Sequence, residues 1–429
     1  MARQRQVTRR EFIRRTALGA GALSLAGPSS FAQQLKPGPG GLPDPTRSGI
    51  EHIIVLMMEN RSFDHFVGWV PGADGKQAGL SYTDSGGVVH QTRPLAPDYQ
   101  GCGHPDPDHS YEGGRIEYNG GACDGWLRAG QNDEYAVGYY TEADLPFFSG
   151  AVQDWTVCDR YFSAIMGPTY PNRFYMHAAQ TDRLENTTEL STLPTIWDSL
   201  IAANVDARYY FSDVPFLAFW GPKYLPISRP FSEFLADCQT GTLPAVSMVD
   251  PRFLGESSGI SGDDHPHADV RNGQTFMNQV YEAVVNSPRF RQTVLVITYD
   301  EWGGFFDHVP PPTGPIPAGD LVAGATDGLL GFRVPALVVS PFAQRREVSS
   351  AVLDHTSILK MIEWRWKLPP LTVRDEAATN LATILDFKNA KPRRPLYDVP
   401  DFHVPAPCAT ADSEWLTLQS IARVWGWIT

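Results

Sequence analysis

The chain has 429 residues and a formal net charge of -13 at pH 7, with 42% hydrophobic and 19% charged residues. Residues 1–32 carry six Arg and one Glu, so the chain that follows them has a formal net charge of -18. This acidic balance argues against a nucleic-acid-binding protein and against electrostatic docking on an anionic membrane. It leaves zwitterionic and small soluble ligands open.

The first 32 residues have the pattern of a twin-arginine secretory signal. Arg9 and Arg10 precede an apolar run at 17–27, and Ser30 and Ala32 supply small residues for cleavage. An amphipathic helix or a membrane anchor is the alternative, but the apolar run is well short of the ~20 residues that a membrane span needs. We therefore predict export to the periplasm or the extracellular space and a mature protein without a transmembrane segment.

Residues 33–47 are rich in Pro and Gly and have no apolar periodicity, so we predict that they form a flexible linker. Residues 48–429 are predicted to form one catalytic domain, because no second linker of this kind follows. Within it, residues 71–159 are rich in Gly, Asp and aromatic residues, and we predict an insertion over one edge of the sheet. Residues 413–427 are predicted to form a terminal amphipathic helix that docks on the body of the domain.

Short apolar runs rich in Val and Ile predict buried parallel strands at 52–58, 245–249, 293–299 and 334–339. Apolar residues at helical spacing predict helices at 274–286 and 356–366. This alternation favours an α/β fold, a layered α/β/α sandwich with a mostly parallel central sheet.

Two of these predicted strands run directly into polar residues. Glu59 and Asn60 follow the first strand, and Asp300 and Glu301 follow the third. Open α/β sheets bind ligands at the carboxyl ends of their strands, and carboxylate and amide oxygens suit a divalent metal ion. Adjacent carboxylates also repel each other unless a cation lies between them. The alternatives are a helix N-cap at the first segment and a solvated loop at the second.

A turn braced by prolines lies between the two acidic segments. Pro168 and Pro171 flank Thr169, and an amphipathic helix is expected to begin near Asn172. A hydroxyl held near helix N-terminal amides lies at a natural anion site, so Thr169 is the candidate nucleophile. A helix-capping threonine is the alternative. Asn172 and Asn119 are the candidates for substrate binding.

Four of the eleven histidines follow an acid residue or lie beside a turn: His109, His265, His308 and His355. Such neighbours orient a histidine for proton transfer or for binding a phosphoryl oxygen. We predict that these four are catalytic. A satisfied surface or core histidine is the alternative for each.

Five cysteines are too few and too scattered for a zinc cluster. In an oxidising compartment one pair is expected to form a disulfide, and we predict Cys102 with Cys123. The unpaired cysteine is expected to be a buried thiol.

Five segments occur in the same order in a known family. They are IIVLMMENRSFDH at 53–65, GPTYPNR at 167–173, DHP at 264–266, YDEWGG at 299–304 and DHTS at 354–357. From about residue 50 to 370 the chain resembles the phosphoesterases that include bacterial and plant non-specific phospholipases C and one class of bacterial acid phosphatase.

The resemblance implies an alkaline-phosphatase-like fold, a Ser or Thr nucleophile and a divalent metal ion. It implies that the metal ligands are Glu59, Asn60, Asp300 and Glu301, and that Thr169 is both a ligand and the nucleophile. It also implies that the four histidines line the phosphate and leaving-group side of the site. This sequence lacks the C-terminal β-rich domains of the larger bacterial phospholipases. It also has Asp-Glu where the acid phosphatase branch has paired aspartates, and Thr where that branch has Ser. These differences favour the phospholipase branch.

We therefore expect a secreted, metal-dependent phosphoric-ester hydrolase, a phospholipase C that acts on phosphatidylcholine-type phosphodiesters by double displacement. A phosphomonoesterase of the acid phosphatase type is the first alternative. A non-catalytic protein that binds phosphate groups or lipid headgroups is the second, and the intact acidic segments and Thr169 turn argue against it.

Overall fold

The computed structural model describes residues 41–408 and 415–428. The predicted signal at 1–32 and the linker residues 33–40 lie outside the described residues. The central feature of the described chain is an eight-stranded sheet. Its strands in chain order are β1 His52–Met58, β2 Thr156–Cys158, β3 Ala207–Phe211, β4 Ser228–Pro230, β5 Val246–Val249, β6 Thr293–Tyr299, β7 Ala336–Val339 and β8 Glu347–Ser349.

The strands lie in the spatial order β8-β2-β7-β6-β1-β5-β3-β4. Strands β6, β1, β5, β3 and β4 form a continuous parallel block, and β8 is parallel to β2. The predicted mostly parallel sheet is therefore confirmed. Strand β7 is the exception, because it pairs antiparallel with both β6 and β2. The prediction of a parallel strand at 334–339 is wrong in direction, since a strand buried on both faces has the same apolar run either way.

Every residue of β1 and of β6 is buried, so helices and loops cover both faces of the sheet, as in the predicted sandwich. The helices are α1 Phe63–Val67, α2 Tyr111–Tyr118, α3 Pro146–Ala151, α4 Thr169–Ala178, α5 Ile196–Ala202, α6 Phe231–Thr240, α7 Val270–Asn286, α8 Ala318–Ala323, α9 His355–Trp366, α10 Val373–Ala377 and α11 Trp415–Val424. Helix α7 packs on β1 and β6 and contacts α3 and α6, whereas α9 contacts α4 and α10.

Capping residues set where the helices begin. The predicted helices at 274–286 and 356–366 begin earlier, after Asp269 and Asp354, whose carboxylates accept hydrogen bonds from backbone N–H groups of the first turn. Helix α4 begins at Thr169 rather than near Asn172. Pro171 is compatible with this start, because a proline in the first turn removes no intrahelical hydrogen bond.

Residues 71–159 contain two small sheets, which pair Ser81–Thr83 with Val89–Gln91 and Arg93–Pro94 with Gly138–Tyr139. The last residues of this range belong to the central sheet as β2. Residues 71–159 therefore form small sheets outside the central sheet and also contribute one strand to it.

The predicted disulfide is wrong in its partner. Cys102 is bonded to Cys408, which lies 306 residues further along the chain. Cys123, Cys158 and Cys238 are buried thiols. The fold brings the C-terminal segment, rather than Cys123, to Cys102.

The predicted C-terminal helix is confirmed as α11. Trp415 stacks on Phe253 with ring centroids 3.8 Å apart, and Leu418 and Ala422 are buried beside it. Within 41–408 and 415–428, no helix has both the length and the apolar character needed to cross a membrane.

Candidate active site

Three neighbouring parallel strands end in polar residues at one edge of the sheet. Strand β1 leads into Glu59 and Asn60, β6 into Asp300 and Glu301, and β5 into Asp250. The register pairs the last residues of β1 and β6, so the residues that follow emerge side by side. All five side chains are fully buried. The structure thus brings together the predicted metal-binding residues, as the carboxyl ends of parallel strands should.

Burial and capping exclude the simpler explanations of these residues. Asp300 and Glu301 have no exposed surface, so they do not lie in a solvated loop. The N-cap of α1 is Ser62, so Glu59 and Asn60 do not cap that helix.

Thr169 is the first residue of α4, and its hydroxyl faces the carboxylates. Its Oγ1 donates a hydrogen bond to Glu59 Oε1 at 3.1 Å. The N-cap position of α4 belongs to Pro168, so Thr169 is not the capping residue of this helix. The hydroxyl is therefore placed for chemistry at the strand ends.

The two asparagines predicted to bind substrate both make hydrogen bonds within their own segments. The Asn172 amide donates to the carbonyls of residues 165, 167 and 168 at 3.1, 2.8 and 3.2 Å, and its Oδ1 accepts from Ile165 N at 3.1 Å. Asn172 thus fixes the turn before Thr169. Asn119 caps the C-terminus of α2 with a left-handed φ of 40°, and its amide donates to Asp124 at 2.8 Å.

Arg173 is a buried cation among the strand-end carboxylates. Its Nε donates to Asp300 Oδ2 at 2.9 Å and its Nη1 to Asp250 Oδ1 at 3.1 Å. Its Nη2 lies 3.7 Å from Glu59 Oε2. Because Arg173 follows Thr169 by four residues on α4, the Thr169 hydroxyl and the Arg173 guanidinium share one helix face.

The buried carboxyl groups outnumber this one guanidinium. Burial raises the pKa of Asp300 to about 6 and that of Glu301 to about 8. Among the described residues, Asn60 Oδ1 and Glu301 Oε1 are buried and accept no hydrogen bond. A divalent cation relieves both the excess negative charge and the unsatisfied oxygens. The residues that fit such an ion are Glu59, Asn60, Thr169, Asp300 and Glu301.

Two of the predicted histidines lie beside this cluster. His109 Nδ1 donates to the carbonyl of residue 107 at 2.7 Å, so its Nε2 faces Asn60 Nδ2 at 3.5 Å and Glu301 Oε1 at 3.9 Å. The His265 ring centroid is 6.0 Å from that of His109, and His265 Nε2 lies 3.7 Å from Asp106 Oδ2. Burial lowers the pKa of His265 to about 4, so this ring is neutral at neutral pH.

Both ring nitrogens of His355 are engaged in hydrogen bonds, through which the ring supports the site. Its Nε2 donates to the Asp300 carbonyl oxygen at 2.6 Å, and its Nδ1 accepts from the Tyr161 hydroxyl at 3.1 Å. Burial lowers the pKa of His355 to about 4. The predicted phosphate-binding role is therefore corrected to a positioning role, because both ring nitrogens are already used.

His308 belongs to a different group of side chains. Its ring pairs with Asp64 and with Asp74 Oδ1 at 3.2 Å, and Arg333 Nη2 lies 3.1 Å from Asp64 Oδ1. Burial alone would lower the pKa of His308, but the Asp64 carboxylate raises it above its usual value. Both ring nitrogens of His308 are paired with these carboxylates, and its predicted catalytic role stays a prediction.

A pocket of about 310 Å³ lies beside the start of α4. Its wall includes Pro168, which precedes Thr169, and His109. Asn186 also lines it and accepts a hydrogen bond from Tyr170 N at 2.8 Å, which ties the wall to the first turn of α4. Among the described lining residues there is no Lys or Arg. The acidic residues of the wall are Asp106, Asp108 and Glu185.

Residues 50–369 match the sequence profile of the Phosphoesterase family. The chain belongs to this phosphoesterase family. It is 33% identical to phospholipase C B of Mycobacterium tuberculosis, with 92% of this chain and 88% of that protein covered. It is 32% identical to non-specific phospholipase C6 of Arabidopsis thaliana, with 79% of this chain and 72% of that protein covered. The protein is therefore a phosphoric-ester hydrolase.

Among solved structures, a protein in the alkaline phosphatase superfamily from Vibrio parahaemolyticus superposes on this phosphoesterase with a TM-score of 0.40 at 9% identity. The match covers 78% of this chain and 70% of that chain. The fold class of the phosphoesterase rests on its own eight-stranded sheet.

The residues of the phosphoesterase site that were not predicted from sequence include Arg173, Asp250 and Asp106. Arg173 lies in a segment that matched the family, and its spacing from Thr169 was an available signal. Asp250 directly follows a predicted strand, so the rule that located Asp300 also applies to it. Asp106 lies in a loop without periodicity, and the sequence gives no signal for it.

Proposed function

We propose that this phosphoesterase is an exported, metal-dependent phospholipase C that hydrolyses phosphatidylcholine-type phosphodiesters with Thr169 as covalent nucleophile. The observation that carries the proposal is the hydrogen bond from Thr169 Oγ1 to Glu59 Oε1, beside a pocket with an acidic wall. Relatives named phospholipase C at about a third identity support the substrate class.

The reaction is a double displacement at phosphorus. Thr169 Oγ1 attacks, and an Oγ–P bond forms as the bond between phosphorus and the glycerol oxygen breaks. The Glu59 carboxylate, 3.1 Å away, accepts the hydroxyl proton. His109 in the pocket wall donates a proton to the departing diacylglycerol alkoxide. Water then cleaves the Oγ–P bond with the proton transfers reversed, which releases phosphocholine and restores the hydroxyl.

The remaining residues hold these groups in place. Arg173 orients the Asp300 carboxylate through the 2.9 Å hydrogen bond, and His355 holds the Asp300 backbone. Asn172 fixes the turn that presents Thr169. A divalent cation at the five candidate ligands, when bound, supplies charge stabilisation for the phosphoryl oxygens and lowers the pKa of a coordinated hydroxyl.

The pocket wall favours a cationic headgroup on a diester. Asp106, Asp108 and Glu185 line it together with His109, and the described lining contains no Lys or Arg. A choline ammonium is attracted to such a wall, whereas its three carboxylates repel the dianion of a phosphomonoester more strongly than a monoanionic diester. A zwitterionic phosphodiester carries one negative charge, on the phosphate that faces Thr169, and one positive charge, on the headgroup that faces the acidic wall.

Two chromogenic substrates separate this proposal from its alternatives. We expect the protein to hydrolyse p-nitrophenyl phosphorylcholine, to lose this activity with a chelator, and to regain it with a divalent metal. Hydrolysis of p-nitrophenyl phosphate should be much slower. A faster rate on the phosphate monoester would instead establish a phosphomonoesterase. Binding of phosphorylcholine without turnover of either ester would establish a non-catalytic protein.

A single substitution tests the nucleophile. Thr169→Val removes the oxygen and keeps the shape, so the rate should fall by several orders of magnitude while the melting temperature changes little, because one hydrogen bond contributes only about 1 kcal/mol. Thr169→Ser should keep part of the activity. Thr293→Val is a matched control, since Thr293 is also buried and its Oγ1 donates to Arg289 O at 2.9 Å at the opposite end of β6. Near-normal turnover by Thr169→Val would remove Thr169 from the mechanism.

A further inference from the structure

One surface segment near the pocket carries almost no charge. Residues 311–326, here called the apolar rim, contain a single ionisable residue, Asp320, in a chain in which 19% of residues are charged. Asp320 itself is buried. Two neighbouring side chains of α8 point outward, with Val322 88% exposed and Leu321 53% exposed. Adjacent exposed apolar residues also occur elsewhere on this chain, as at Val88 and Val89, but the pair on α8 lies in a segment whose one ionisable residue is buried.

Buried contacts hold the apolar rim on the nucleophile helix. The Asp320 carboxylate accepts hydrogen bonds from the Tyr175 hydroxyl and from Thr181 N, the latter at 3.0 Å. Gly319 N donates to Gln180 Oε1 at 3.0 Å. Tyr175 lies on α4, the helix that begins with Thr169. The one charge of the apolar rim is therefore used as an internal anchor, and its outward face is left apolar.

The apolar rim is continuous with the wall of the pocket. Leu184 lines the pocket and packs in one cluster with Tyr175 and with Ala325 of the apolar rim. Just beyond the apolar rim, Asp327 pairs with Arg115 at 2.6 Å, which marks where the charged surface resumes. The acidic wall of the pocket and an uncharged apolar surface thus lie side by side.

We infer that the apolar rim docks on the surface of a zwitterionic phospholipid bilayer. This inference rests on the proposed function and adds the surface by which the enzyme reaches its substrate. A lipid whose phosphate reaches Thr169 with its headgroup in the pocket keeps its acyl chains in the bilayer. Leu321 and Val322 belong to the segment that adjoins the pocket wall through Leu184 and Ala325, and they offer the bilayer an apolar surface. The formal net charge of -18 for the chain after residue 32 and the lack of any basic residue in 311–326 favour a neutral interface over an anionic one.

Vesicle binding tests the inference separately from catalysis. The parent protein carries Thr169→Val so that the lipid is not consumed, and its binding to sedimenting phosphatidylcholine vesicles is compared with that of the Leu321→Ser/Val322→Ser variant. The double variant should bind at least about tenfold more weakly, because two apolar side chains no longer enter the interface. Val424→Ser is the matched control, since Val424 is 78% exposed on α11. It should bind like the parent.

The other outcomes overturn the inference. The apolar rim is not the docking surface if the parent does not sediment with vesicles, if the double variant binds like the parent, or if Val424→Ser loses as much. A parent that is dimeric by light scattering, with a monomeric double variant and no vesicle binding by either, would assign the surface to a second copy of the chain. In each case, hydrolysis of p-nitrophenyl phosphorylcholine by protein with Thr169 intact remains a separate measurement. That soluble ester needs no bilayer, so the double variant should hydrolyse it at the parental rate.

Discussion

Replacing Arg173 by Met removes the buried cation from the strand-end carboxylates and keeps most of its volume. The Arg173 side chain is 1% exposed and bonds Asp300 and Asp250 at 2.9 and 3.1 Å. Removing one partner of a buried ion pair costs about 3–5 kcal/mol, because the remaining charges stay buried without compensation. With about 2.1 cal/mol/K of unfolding entropy per residue, a domain of about 380 residues should melt about 4–6 °C lower.

Scanning calorimetry of chelator-treated protein measures this shift, and Arg183→Met is the control. Arg183 is also buried, at 6% exposure, but its one charged partner, Asp182, is 27% exposed and can be solvated by water after the substitution. Its other partners, Thr187 O at 2.6 Å and Glu189 O at 2.9 Å, are neutral carbonyls, so no buried charge is left uncompensated. Its shift should therefore be less than half as large. Equal shifts in the two variants, or an unchanged melting temperature for Arg173→Met, would refute the idea that Arg173 neutralises the carboxylate cluster.

Three further predictions concern export, metal and pH. We propose that the mature protein begins near Gln33 and that replacing both Arg9 and Arg10 by Lys leaves precursor inside the cell; N-terminal sequencing and cell fractionation check this, and undiminished export would contradict it. Asp300→Asn should lower bound divalent metal and activity together, and active wild-type protein free of divalent metal by elemental analysis would disprove the site. Because burial raises the pKa of Asp300 to about 6 and of Glu301 to about 8, their contribution to stability is complete below about pH 4 and is lost as the pH rises through these values. Without metal, the melting temperature should therefore fall between pH 5 and pH 8, and Glu301→Gln should reduce that fall.

Local sequence patterns predicted the parts of the fold that depend on burial. Strands β1 and β6 follow from unbroken apolar runs, and the convergence of Glu59 with Asp300 follows from parallel pairing. The direction of β7 did not follow, because burial on both faces leaves the same pattern in either direction.

Contacts between segments that are far apart in the chain could not be predicted from the sequence. Cys102 and Cys408 are 306 residues apart, and no spacing rule selects that pair. His308 and His355 both follow an aspartate, as a catalytic histidine often does, but the same arrangement serves an ion pair with Asp64 in one case and a buried support for Asp300 in the other. Such roles depend on which groups occupy both ring nitrogens, which only the fold determines.

The stereochemical course at phosphorus tests the central claim most directly. A covalent Thr169 intermediate requires two in-line displacements, each of which inverts the configuration at phosphorus. Hydrolysis of a phosphodiester made chiral at phosphorus by sulfur and oxygen-isotope labels should therefore proceed with overall retention. Overall inversion would contradict the account, because it would mean that water attacks phosphorus directly and that Thr169 forms no bond to it.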